Sequence, residues 1–499
     1  MAVLRYPMCA LFLVAGLLLV VGFGALALFS GRFGYDVEVI DMPIGPLVAL
    51  LIGLGMVFVV AAIALARMDG DLGRSVDRRR MLVAMLVVGA LARLALFASE
   101  PILEDDYQRY LFDGAVVSAG LNPYAVVPGE AGTSEDPALA AVAEKAGVTL
   151  ERVNHPEIRT IYPPGAQAFF ALAHQLQPFS LLAWRGVVLA GDAATLGLIL
   201  LLLQHAGRSA LWATLYWWNP LVIKELTNSA HMEGVLVPFI MLGVLASVRG
   251  RGWLVSGALA VAGAIKLWPL ILFPVLMRGA GARVMTWIGG AGLILGAMAL
   301  CAWPMWLGGL DQSAGVVAYA ERWKSNGAMF PGLYALVSAS GLADFAGVDA
   351  NVVTRVMIAG VVSAVAVALT LAVSPTSPKG HPETAAAITR AAGLVAITMF
   401  LLSPAQFPWY AVWIAPFLPF LPYVGLIALA VVMPLYYVAF ALMVVDRFAV
   451  FSDVVVWIEW VPIWLLLVGE AIFRPLMARG HDRAALTAYG LSQARGGKR

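Results

Sequence analysis

Glu104-Asp105-Asp106-Tyr107-Gln108-Arg109 places three carboxylates and a guanidinium directly after an apolar run, Met81 to Ala98, long enough to cross a bilayer. Acids at the mouth of a hydrophobic bundle are costly to desolvate and need a reason. Catalysis supplies one, because Asp105 or Asp106 could take the proton from an attacking hydroxyl. The plainer reading is that these acids cap a surface helix and complement its dipole.

Other polar residues could complete a site with them. These are Asn154-His155-Pro156 with Tyr162-Pro163-Pro164, and Trp217-Trp218-Asn219-Pro220 with Lys224-Glu225, Asn228, His231 and Glu233 downstream. Tyr319 to Asn326 is another group, and Ser403 to Tyr410 a further one. Sugar transfer from a polyprenyl-phosphate donor needs a base, positive charge on the departing phosphate, an apolar groove, and aromatic faces and amides for the sugar. The base would be Asp105 or Asp106. Candidates for the phosphate are Lys224, His231, Lys266, Arg322 and Lys324. Candidates for sugar and acceptor are Arg109, Asn154, His155, Tyr162, Glu225, Trp323, Trp409 and Tyr410. Plainer roles exist for many of these: Lys224 and Glu225 as interface anchors, the tryptophans as an aromatic belt, Glu321 and Arg322 as a mutual pair. Arg93 and Asp192 lie inside spans and read as a structural pair or as separate polar groups. Two carboxylates with His155 or His231 could hold a divalent cation. No tight ligand spacing argues for one, so no metal or other cofactor is expected to be required.

The elements that must position these residues are membrane helices. Of 499 residues, 61% are hydrophobic and 12% charged, against roughly 25% charged in soluble domains. Spans are expected near 8–30, 44–66, 81–98, 181–204, 209–223, 230–248, 284–304, 352–374, 390–406, 423–444 and 454–473. Residues 253–277 are broken at Lys266-Leu267-Trp268-Pro269 and flanked by Arg251 and Arg278, so they read as two short helices returning to one side. Residues 408–420 form a proline-punctuated segment; such breaks are tolerated where they line a cavity. The fold expected is an all-α polytopic membrane protein of about 14 helical membrane segments. Arginines in the 67–80 loop, at 249–251, at 278 and 283, and in the 475–499 tail put both termini in the cytoplasm. The N-terminal spans (1–98) then lead into an outer loop, 99–180, with interfacial helices over Asp105–Ala119, Pro137–Ala146 and Ala166–Leu176. Central spans (181–304), a second outer loop (305–351) and C-terminal spans (352–474) complete a single membrane domain. Cys9 and Cys301 sit in separate apolar runs and suggest neither a disulfide nor a thiolate site. No basic tract interleaved with aromatics suggests nucleic acid.

Asp105 to Gly114 followed by Gly120-Leu121-Asn122-Pro123-Tyr124 resembles the first large outer loop of GT-C-type integral-membrane glycosyltransferases, the polyprenyl-phosphate-mannose-dependent mannosyltransferases in particular. Asn154-His155 with Ile161-Tyr162-Pro163-Pro164, Trp218-Asn219-Pro220-Leu221, Lys266-Leu267-Trp268-Pro269 and Pro408-Trp409-Tyr410 are similar to later signatures, in the same order. The resemblance covers about residues 80 to 420. It implies a GT-C bundle in a prokaryotic inner membrane and an outward-facing active site. The reaction implied is inverting transfer of a hexose, mannose foremost, from a polyprenyl monophosphate to a hydroxyl of a glycolipid or cell-envelope glycan. It places the base on Asp105 or Asp106. The spans 8–30 and 44–66 are a departure, since the simplest members have one fewer crossing pair before the acidic loop. A transporter or flippase for a lipid-linked saccharide is the alternative. That reading asks for polar groups along a path and for repeat symmetry, whereas here the polar clusters gather toward one face.

Overall fold

The computed structural model describes residues 7–71, 76–315, 317, 325–327, 329–374 and 381–473. Among them the chain is helical, and its sole pairing of extended backbone is an isolated parallel bridge between Ser325 and Ala405. Nine described helices are long and apolar enough to cross a membrane, and four shorter apolar helices accompany them. The protein is an integral membrane protein.

Helices α1 (Pro7–Phe29), α2 (Ile44–Asp71) and α3 (Val76–Phe97) pack as a group. The loop that follows holds α4 (Asp106–Ser118), α5 (Pro137–Ala146) and α6 (Pro164–Leu176). Helix α4 begins where Glu104 Oε1 accepts from the Asp106 backbone N–H at 2.9 Å. It ends before Gly120, whose φ of 76° a side chain would resist. Asp136 caps α5 by accepting from the Ala138 N–H at 2.8 Å, with Pro137 at the first helical position. The reading of 105–119 as an interfacial helix needs one refinement. Gln108 through Val116 are all buried, so α4 is a core element under α5 and α6. A Cβ at Gly114 would strike the Phe170 carbonyl, and its absence lets α4 and α6 cross closely.

Helices α7 (Leu181–His205), α8 (Glu233–Val248), α9 (Gly252–Ile265) and α11 (Val284–Gly308) pack in succession. Between α9 and α11 the chain turns back through α10 (Trp268–Gly279). The break falls at Lys266, where the backbone is extended and Pro269 starts the next helix. The expected pair of short helices is therefore present. Helices α12 (Met329–Ala339), α13 (Ala350–Ala372), α14 (Pro382–Leu402), α15 (Val424–Val444) and α16 (Phe448–Phe473) complete the described chain.

The expected span over 209–223 is corrected. Ser209 and Asn219 cap separate short turns, Pro220 starts the second, and a π-helical turn follows over Lys224–Asn228. Two caps and a proline within twelve residues prevent one continuous helix, and π turns recur at functional sites. The π turn anchors the acidic loop. Asn228 accepts from the Ile102 N–H at 3.0 Å and donates to Ser99 Oγ and the Glu100 carbonyl at 2.8 and 2.7 Å. Arg185 donates to the carbonyls of Phe97, Ser99 and Asn228.

Candidate active site

A cavity of about 600 Å³ lies between the acidic loop, the break at Lys266 and helices α11, α13 and α14. Asp106 lines it, together with Asn154, Tyr162, Glu233, Lys266 and Tyr410. Asp105 is not among its lining residues. One amide holds both acids, since Asn154 Nδ2 donates to Asp105 Oδ1 at 3.0 Å and to Asp106 Oδ1 at 2.7 Å. Burial pushes the Asp106 carboxyl up to about 7, and the neighbouring Glu104 adds to the rise; His231 and Asn154 oppose it. Asp105 is raised too, first by burial and then by Glu104. A carboxyl that titrates near neutrality beside an accessible cavity suits a general base.

Backbone strain surrounds these groups. Leu103, His155 and Ala230, none a glycine, have φ of 51°, 47° and 57°. Such conformations cost of order 1–2 kcal/mol per residue and persist where neighbours over-determine them. Arg109 is one such neighbour. It donates to the carbonyls of Asn154, His155 and Ile158 at 2.7, 2.8 and 3.0 Å. Its guanidinium thus pins the loop that carries Asn154, a role distinct from the sugar contact expected of it. His155 itself is exposed, with Nδ1 3.7 Å from Glu157.

Lys224, Glu225 and His231 stand behind the cavity wall. His231 Nε2 lies 2.9 Å from Glu104 Oε2 and 3.3 Å from Glu225 Oε2, and its side chain is buried. Lys224 Nζ donates to Ser229 Oγ at 2.8 Å and to Tyr437 Oη, and lies 3.4 Å from Glu225 Oε1; Tyr437 in turn donates to Glu225 Oε1 at 2.7 Å. Trp409 lines the cavity and stacks on the His231 ring at 4.2 Å. Lys224 and His231, expected at the phosphate, and Glu225, expected at the sugar, do not line the cavity and are paired within the protein. These charges neutralise one another in one network, as buried ions must.

Lys266 is placed differently. Its Nζ donates to Glu233 Oε1 at 2.8 Å and sits 4.1 Å above the Tyr410 ring and 4.8 Å above that of Trp413. The tyrosine is stacked on Trp413 at 4.2 Å. Tyr162 packs edge-on to Tyr110 and Phe170 while facing the cavity. Arg322, Trp323 and Lys324 lie outside the described residues. Arg93 and Asp192 form the structural pair, bidentate and buried, with Tyr216 donating to Asp192 at 2.7 Å.

Glu104, Glu233 and Arg355 were not assigned roles from sequence. Glu104 caps α4 and meets His231, Glu233 pairs with Lys266, and Arg355 lines the cavity from α13. A lone arginine in an otherwise apolar span was the available signal for the last. For a divalent cation, the candidate ligands are Glu104, Asp106 and His231, whose ligand atoms lie within 4.8 Å of one another. The pairing with His155 proposed from sequence is not formed.

The profile of the family described as alpha-(1->6)-mannopyranosyltransferase, N-terminal domain, matches residues 10–281. The chain belongs to that family. The matched stretch includes the acidic loop, the π turn and Lys266. The profile of glycosyltransferase family 87 matches residues 160–404 and so extends through α11, α13 and α14. No curated protein and no solved structure matches the chain. The resemblance to membrane mannosyltransferases is borne out, and the protein is a membrane glycosyltransferase. A sugar donor, a glycan acceptor and the bilayer are its partners.

Proposed function

We propose that this enzyme transfers mannose from a polyprenyl monophosphate to a hydroxyl of a glycolipid or cell-envelope glycan, with inversion at the anomeric carbon and Asp106 as base. The observation that carries the proposal is the placement of Asp106 on a cavity that also holds Lys266 and aromatic rings and continues along apolar helices. In the reaction Asp106 takes the acceptor's hydroxyl proton, and the hydroxyl oxygen forms a bond to the anomeric carbon. The bond from that carbon to the phosphate oxygen breaks on the opposite face, and polyprenyl phosphate leaves with the electron pair. Lys266 offsets charge on that phosphate, and such preorganised charge is worth several kcal/mol in the transition state. Tyr162 borders the cavity and meets the sugars there, with Trp409 and Tyr410 presenting ring edges beside it. Asn154 holds the carboxylates. No metal is needed for these steps. The arginine distribution supports cytoplasmic termini and an active site on the periplasmic or extracellular side of a prokaryotic inner membrane.

The test is release of polyprenyl phosphate from synthetic polyprenyl-phosphate mannose by purified protein, with a mixture of glycan acceptors and with chelator in a parallel reaction. Release dependent on acceptor and indifferent to chelator is expected, with the product carrying the anomeric configuration opposite to the donor's. Folded protein that releases nothing from any polyprenyl-phosphate sugar would overturn the proposal and favour a flippase. Loss in chelator, restored by a divalent cation, would overturn its metal independence.

A further inference from the structure

The cavity extends beyond what a sugar and a base require. Gly308 ends α11 at the face carrying the acidic loop, where Arg159 donates to its carbonyl. Met305, Cys301 and Met298 line the cavity progressively further down that helix. At a rise of 1.5 Å per residue, Met298 lies roughly 15 Å below the helix end. Much of α11 is not buried within the protein, so the helix stands at the edge of the bundle. Met399 of α14 also lines the cavity. Thioethers adapt to irregular apolar ligands.

Cationic and donor groups stand beside this apolar stretch. Arg355 lies early in α13 and lines the cavity, with Nε donating to Asn351 Oδ1 at 3.1 Å and its guanidinium 5.5 Å from the Phe330 ring. Arginine at such a position is costly and marks a ligand path. Trp268 and Trp413 are stacked at 5.2 Å, and both line the cavity. Both indole nitrogens are buried, and neither has a hydrogen-bond partner among the described residues. Buried donors ordinarily find an acceptor. Lys266 sits over Trp413.

We infer that the donor docks from the bilayer, its isoprenoid lying along the Met298–Met305 face of α11 and its phosphate held by Arg355 and Lys266, which line the same cavity. The inference rests on the proposed use of a polyprenyl-phosphate donor and adds the residues and the route. Phosphate accepts from guanidinium, ammonium and N–H donors alike, and an isoprenoid fills an apolar wall that a glycan acceptor would leave poorly solvated.

Cys301 permits a test that does not depend on turnover. It is one of two cysteines in the chain, and the other, Cys9, is buried in α1 and serves as internal control. Maleimide labelling of each is followed by mass spectrometry with polyprenyl monophosphate, the corresponding prenol, inorganic phosphate or mannose present. At ten times its Kd, polyprenyl monophosphate should slow Cys301 labelling about 10-fold by mass action. Prenol should protect at higher concentration, and inorganic phosphate and mannose not at all. Arg355→Gln should raise the half-protecting concentration of the phosphate roughly 10-fold, the scale of one charge-assisted bond, and leave that of the prenol unchanged. Arg355→Lys should fall between. Equal labelling rates of wild type and both variants without lipid certify the fold of the variants; a changed rate transfers the comparison to Lys266→Gln, for which a rise specific to the phosphate is expected. Transfer that proceeds while saturating donor leaves Cys301 unprotected would overturn this inference and spare the proposed function. A phosphate dependence unmoved by Arg355→Gln would overturn the clamp. Protection by polyprenyl phosphate without any transfer would support the lipid site and overturn the proposed reaction.

Discussion

Two groups of charges lie close together in this fold. In one, Lys224, Glu225, His231 and Glu104 form a set of ion pairs with Tyr437 that does not line the cavity, although Glu104 and His231 come within 4.8 Å of Asp106. In the other, Asp106 and Lys266 border a cavity of about 600 Å³. Sequence does not tell the two groups apart, since Glu104 and Asp106 share one acidic cluster and Lys224 and Lys266 each stand beside an apolar run. What separates them is access. Charges that satisfy one another hold the acidic loop against the π turn, whereas charges that border the cavity can meet a substrate. Residue type alone therefore locates a site but does not tell its wall from its chemistry.

The largest effect that would sharpen this comparison is on rate. Asp106→Asn should reduce transfer by about 10²–10⁴, the range for a general base, while thermal unfolding stays close to wild type. The buried side should behave in the opposite sense. Glu225→Gln leaves Lys224 and His231 short of a counter-ion and should lower stability by about 3–5 kcal/mol, read as loss of folded protein in a thermal or denaturant titration. Asp192→Asn, which strands Arg93, should do the same. A rate defect in Glu225→Gln without loss of stability would break the distinction.

Lys266→Gln should weaken transfer by about 10-fold if one charge-assisted contact to phosphate is removed. The checking measurement is kcat and KM against donor concentration, with Lys266→Arg restoring part of the loss.

The smallest effect concerns pH. Asp106 accepts a proton only when ionised, so transfer should fall as pH drops through about 7. Glu104 contributes to that raised value. Removing its charge in Glu104→Gln lowers the Asp106 pKa, so the acid limb should move to lower pH. A limb that stays in place would show that Glu104 does not act on the base.

The sequence made some of this arrangement legible for physical reasons. The Lys266–Pro269 break was readable because proline cannot continue a helix and arginines flank both ends. Arg93 and Asp192 were legible as polar groups inside spans that a pairing would explain, and the structure decides for the pair. Asn154 was placed with the acids by motif order, but its bridging of Asp105 and Asp106 required a loop 49 residues away to fold back. That Lys224 and His231 lie off the cavity lining was not legible, because a sequence shows that a charge is near the membrane face, not which neighbours pair with it. The 209–223 run was mistaken for a span because hydropathy is blind to the caps at Ser209 and Asn219. Arg355 was overlooked because its apolar span dominates the local pattern.

The central claim is that the carboxylate on the cavity, and not its neighbour, is the base. The most direct measurement is the single-turnover rate of sugar transfer from a polyprenyl-phosphate donor by Asp106→Asn beside Asp105→Asn. The account predicts that Asp106→Asn loses at least about 10² in rate and that Asp105→Asn stays within about 10-fold of wild type, the scale of one charge-assisted hydrogen bond. The reverse order, or full activity in Asp106→Asn, would contradict it.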